Sequence, residues 1–118
     1  MPFELTKRIV KVLSDKKALN IEVIDIQKVS QIADYFIICS GTSSTHVKAL
    51  ADEVEFQIGD KGSDIAYHKE GYKGATWVLL DYRDVIVHIF HGQTRDFYNL
   101  EHLWTDGEKI DTNKLLGE

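Results

Sequence analysis

Leu5, Ile9, Val12 and Leu13 recur at i, i+4, i+7 and i+8, one stripe of an α-helix. They predict a helix over residues 3–17. Lys7, Arg8, Lys11, Lys16 and Lys17 lie largely off the stripe, and the last of them suit the negative end of the helix dipole. Over residues 20–26 the period changes to two. Ile21, Val23 and Asp25 share one face and Glu22, Ile24 and Ile26 the other, which is the pattern of a strand. A short connector holding Ser30 leads to residues 34–40, apolar on both faces and so expected to be a central strand. Gly41-Thr42-Ser43-Ser44 then opens a second helix reaching to about Ile58, with Val47, Leu50, Ala51, Val54 and Ile58 as its stripe. Thr42 or Ser43 suits its N-cap, and Gly59 or Gly62 its stop.

The remaining half predicts a strand over 65–70, a loop over 71–74, strands over 76–81 and 84–90 around Tyr82-Arg83, and a last helix over 95–104. That helix places Phe97, Leu100 and Trp104 on one face. Residues after Asp106 are charged and small and are expected to fray. The element order is αββαβββα, an α/β fold: a five-stranded mixed sheet with helices packed mainly on one face. The helix between the second and third strands is the right-handed parallel crossover. No repeat or linker divides the chain, so residues 1–106 read as one domain and 107–118 as a tail.

The hairpin around Tyr82-Arg83 is the most informative segment. With those two residues as the loop, Asp81 faces Asp84, Leu79 faces Ile86 and Trp77 faces His88. The opposite face pairs Leu80 with Val85, Val78 with Val87 and Thr76 with Ile89, is aliphatic, and belongs under the helices. The first face is mixed: two carboxylates, a tryptophan, a histidine and Phe90. Carboxylates placed across a hairpin repel, and a locally unfavourable pair can mark a functional position or merely a solvated strand end. Tryptophan is enriched at binding hot spots, and acids beside it suit a partner rich in Arg and Lys.

Charge agrees with this picture. The 118 residues carry 19 Asp+Glu against 14 Lys+Arg, a net −5. Phosphate neutralisation needs the opposite excess, so direct nucleic-acid binding is disfavoured as the main contact, and the basic face of the first helix reads as a solvated face. Cys39 is the single cysteine and excludes an internal disulfide. It lies in an apolar strand and reads as core. The longest apolar runs are strand-sized, far below a membrane span, and the N-terminus has no signal-peptide pattern. A soluble, cytoplasmic protein is expected.

An enzyme is the rival reading. Gly41 to Ser44 lies between a strand and a helix, where amides can hold phosphate, and Asp81 with Asp84 could hold Mg²⁺, as carboxylates do in phosphoryl and nucleotidyl transfer. No Gly-x-x-x-x-Gly-Lys-Ser/Thr loop is present, and a helix cap explains Gly41–Ser44 as well. His88 and His91 are three apart, so strand alternation sends them to opposite faces. His46 suits packing or capping better than catalysis. Neither a cofactor nor a metal is expected.

Three runs together resemble the ribosomal silencing factor family (RsfS, YbeB or Iojap-like). They are Asp34-Tyr35-Phe36-Ile37-Ile38-Cys39-Ser40-Gly41-Thr42-Ser43-Ser44 with His46-Val47; Glu70-Gly71, Trp77 to Tyr82 and Asp84 to Phe90; and Arg95, Tyr98, Leu100-Glu101 and Leu103-Trp104. The resemblance spans residues 5–104. It implies a nucleotidyltransferase-like fold without that activity. It also implies a factor that binds the large ribosomal subunit through the basic ribosomal protein L-fourteen, prevents subunit joining, lowers translation when nutrients are short, and forms a homodimer off the ribosome. Carried onto this chain, the partner contact falls on Glu70, Trp77, Asp81, Asp84 and His88, with Tyr82 and Phe90 beside them. One position departs from the family pattern: Arg83 stands where glycine is usual. A primed turn demands positive φ there, at about 1 kcal/mol or more for a side-chain-bearing residue. The arginine also sets a cation between two carboxylates.

Overall fold

The computed structural model describes residues 2–28, 31, 33–60, 68–74, 76–91 and 108–110. Its elements are α1 (Pro2–Asp15), β1 (Leu19–Asp25), β2 (Tyr35–Gly41), α2 (Ser44–Val54), a π-helical turn (Glu55–Asp60), β3 (His68–Glu70), β4 (Trp77–Asp81), β5 (Val85–His91) and β6 (Glu108–Ile110).

The strands form one mixed sheet in the order β3-β4-β5-β2-β1-β6. β2 and β5 run parallel, and every other neighbouring pair is antiparallel. β2 is buried along its whole length, as its two-faced apolar run predicts. β3 runs in the same direction as β2, so α2 does connect two strands of one direction. They are not neighbours, however: β5 takes the place beside β2.

All five expected strands are present, and β6 adds a sixth. The tail expected from residue 107 therefore contains three residues that pair with β1, Glu108 opposite Asp25 and Ile110 opposite Val23. Edge strands tolerate charge, which is why the charged composition gave no strand signal. The helix expected over 95–104 and the start of the strand expected from 65 lie outside the described residues.

The helices sit on one face. There Leu5, Ile9, Val10 and Leu13 of α1 and Val47, Leu50, Ala51 and Val54 of α2, with Ile58, cover Val23, Ile37, Cys39, Val78, Leu80, Val85, Val87 and Ile89. Val10 is fully buried and Val12 only partly, so α1 is rotated slightly from the expected stripe. α1 ends two residues early because Lys17 turns left-handed (φ 63°). The Lys17 N–H then bonds Ser14 O and the Ala18 N–H bonds Leu13 O, closing the helix by the motif that glycine usually completes. On the other face, Ile24, Ile26, Ala33, Phe36, Ile38, Ile86 and Phe90 form a second cluster, against which Trp77 and Leu79 pack half-buried.

Candidate docking surface

Alternation divides β4 between two tasks. Val78 and Leu80 are fully buried under the helices, while Trp77, Leu79 and Asp81 point to the other face and remain half-buried. β5 sends Ile86, His88 and Phe90 to that same face.

The register differs from the expected one. Trp77 pairs with Phe90, Leu79 with His88 and Asp81 with Ile86. The loop is Arg83-Asp84 rather than Tyr82-Arg83, a slip of two residues that preserves every face while changing every partner. Asp81 and Asp84 are therefore not a cross-strand pair. Asp81 lies on the mixed face, and Asp84 is exposed in the turn. Arg83 has a positive φ, 75°. The Asp84 N–H closes the turn onto Tyr82 O at 3.0 Å, and the Tyr82 N–H reaches Val85 O at 2.9 Å. Asp81 is steadied by the backbone of the turn, its Oδ1 accepting from the Arg83 N–H at 2.8 Å. The Asp84 carbonyl accepts from the N–H groups of Asp34 and Tyr35 at 2.7 and 3.1 Å, which ties the turn to the start of β2.

The seven candidate residues separate. Glu70, exposed at the end of β3 opposite Leu79, shares a surface with Trp77 and Asp81, and Asp84 adjoins them at the turn. Tyr82 does not belong there. It is buried among the helix-side residues, because position 82 has the parity of Val78 and Leu80. His88 and Phe90 are on the expected face but buried, at 3% and 0% exposure, and form the floor beneath Trp77. Leu79 was missed as a candidate, although its alternation with Trp77 and Asp81 was readable. So was Phe36, which no local pattern connects to His88.

The floor is aromatic. The Trp77 ring stacks on Phe90 at 5.4 Å and 18°, and on His88 at 5.7 Å and 28°; His88 in turn lies 4.6 Å from Phe36. The Trp77 indole N–H donates to His88 Nδ1 at 3.0 Å. Burial among these rings pushes the imidazole pKa from 6.5 down to about 4, so it is neutral near pH 7. Since Nδ1 accepts, the proton is on Nε2, which has no hydrogen-bond partner among the described residues. Gly71 positions the rim: at φ +78° it approaches β4 so closely that a Cβ there would lie 2.0 Å from Trp77 O.

In the phosphate-loop alternative, three of the amides at the start of α2 are already engaged. Ser43 is the N-cap, its Oγ accepting from the His46 N–H at 3.0 Å. The Thr42 N–H donates to His46 Nδ1 at 2.9 Å, and the Val47 N–H to Ser43 O. His46 Nε2 lies 3.0 Å from Lys16 O, so its proton joins the end of α1 to the start of α2. Of the packing and capping roles open to it, the hydrogen bonds are those of a cap. Cys39 is fully buried core. Among the described residues, no three His, Cys, Asp or Glu side chains are grouped to hold a metal, and no helix is long and apolar enough to cross a membrane.

Comparison with known proteins gives a consistent pattern. The family model "Ribosomal silencing factor during starvation" matches residues 2–118. The ribosomal silencing factor RsfS of Halalkalibacterium halodurans is 41% identical over 113 residues, covering 96% of both chains. A Mus musculus protein, "Mitochondrial assembly of ribosomal large subunit protein 1", is 33% identical over 99 residues, covering 82% of this chain and 43% of its own. A crystal structure of a Bacillus halodurans protein superposes with a TM-score of 0.80 at 36% identity, covering 92% of this chain and 97% of that one.

Proposed function

Because the chain belongs to the ribosomal silencing factor family, we propose that it docks on the large ribosomal subunit through the basic ribosomal protein L-fourteen and bars the small subunit from joining. The effect is repression of translation when nutrients are short, in the cytoplasm, by occlusion and not by catalysis. Off the ribosome the chain pairs with a second copy of itself. The large subunit named in the mouse relative supports the choice of subunit.

The observation that carries the docking site is Trp77 itself, half-buried on a mixed sheet face with Leu79 beside it and Glu70, Asp81 and Asp84 around it. None of these three carboxylates is in an ion pair among the described residues. An aromatic anchor ringed by acids fits a patch rich in Arg and Lys, and repels bare RNA. His88 and Phe90 support this surface from beneath.

Co-sedimentation with purified large subunits, small subunits and joined ribosomes tests the reading. Selective migration with the large subunit is expected. Trp77→Ala should weaken capture by about 2 kcal/mol, roughly 30-fold, and Asp81→Lys should weaken it by reversing a charge at the rim. Undiminished capture by both variants would remove the site assignment.

A further inference from the structure

We propose that His88 is a positioning residue for the docking surface: its Nδ1 holds the Trp77 indole in the orientation that meets the partner, without reaching the partner itself. The proposal rests on the docking reading above and adds the element that makes Trp77 a prepared anchor.

Three observations carry it. The first is the 3.0 Å bond from the indole N–H to Nδ1, which runs diagonally across the β4–β5 pair, since His88 lies opposite Leu79 and not opposite Trp77. The second is the confinement of the imidazole itself. It lies 4.6 Å from Phe36 on one strand and 5.7 Å from Trp77 on another, so it cannot turn Nδ1 away without disturbing the stack. The third is its burial: at 3% exposure, His88 offers a partner almost no surface.

The choice of residue follows from the chemistry. A phenylalanine at 88 would complete the stack but leave the indole N–H without that acceptor. A half-buried indole then either leaves its donor unsatisfied or rotates to bring it to water, presenting a different edge outward. Histidine supplies a flat ring and an acceptor together, and its neutral state keeps that acceptor available. An indole already fixed in its bound orientation loses less rotamer freedom on docking, which favours tight association.

The test uses the full chain. His88→Phe removes the acceptor and keeps the ring; His88→Gln retains an acceptor oxygen. The indole N–H signals are read by nuclear magnetic resonance, Trp77's being assigned by its absence in Trp77→Phe. Slow exchange of that proton with solvent is expected in the wild type and His88→Gln, and fast exchange in His88→Phe. Affinity for large subunits should fall about three- to tenfold in His88→Phe. It should fall no further when His88→Phe is added to Trp77→Phe, because the histidine acts through the indole. If His88→Phe does not fold, His88→Leu carries the same expectations. Unchanged indole exchange overturns the positioning role by itself. An equal loss of affinity with or without Trp77 overturns it in favour of direct contact. Altered exchange combined with wild-type capture by Trp77→Ala overturns the docking reading instead.

Discussion

Acid should destabilise this fold through His88, by an amount that can be worked out. In the unfolded chain the imidazole titrates near 6.5; in the folded chain burial holds it to about 4. Between those values the unfolded state binds a proton that the folded state refuses. Stability must therefore fall as pH drops from about 6.5 to 4, and the loss is complete below the folded pKa. At 1.36 kcal/mol per tenfold, the full effect is about 3 kcal/mol, a substantial part of the 5–15 kcal/mol typical of a domain. The cause is desolvation, since the rings packed on His88 are Phe36, Trp77 and Phe90, none of which carries a charge. Carboxylates titrate in the same range, so the wild type alone would not isolate the term. Urea unfolding of the wild type and His88→Phe at intervals between pH 7 and 4 does so. The difference between them should shift in the variant's favour by about 3 kcal/mol over that range. A difference that stays constant with pH would show that His88 titrates alike in both states, and the buried neutral imidazole would be wrong.

Other changes read other parts of the structure. Arg83→Gly should raise stability by about 0.5–1 kcal/mol, because φ 75° strains a residue with a Cβ; a lower urea midpoint would mean that contacts of the arginine outweigh that strain. Gly71→Ala should cost at least about 2 kcal/mol, since the new Cβ would meet the Trp77 carbonyl at 2.0 Å with φ already positive. The same variant should lose large-subunit capture, and an unchanged melting temperature would refute the close approach. Ser43→Ala should lower stability by about 1 kcal/mol through loss of the α2 cap, measured by thermal unfolding, with Ser43→Asp restoring most of it.

Where periodicity decides structure, the sequence was legible. The stripes of α1 and α2, the central place of β2 and the two faces of the hairpin all follow from which positions are apolar. The faces survived a wrong register because a slip of two keeps parity. The register itself depended on the turn, and Arg83-Asp84 carries no glycine to mark which two residues form it. Tyr82 was read as a loop residue; paired with Val85 instead, it falls under the alternation that puts it with Val78 and Leu80. The burial of His88 was not legible at all, since it depends on Phe36, brought close by the parallel β2–β5 pairing of segments fifty residues apart.

The burial of His88 has a physical origin that also explains the site. Hydrophobic patterning tells which face a residue takes, but not what a second layer of neighbours does to it. On the helix side that matters little, because Val78, Leu80, Val85, Val87 and Ile89 need only volume and apolarity. On the mixed face, neighbours separate residues of similar appearance. Phe90 and His88 become a fixed floor, Trp77 and Leu79 lie half-covered above it, and Asp81 is held by the turn's own amide. An apolar helix-side substitution that conserves volume should leave large-subunit capture unchanged. A substitution of equal volume at His88 should not, because there the hydrogen-bond acceptor matters as well as the space it fills.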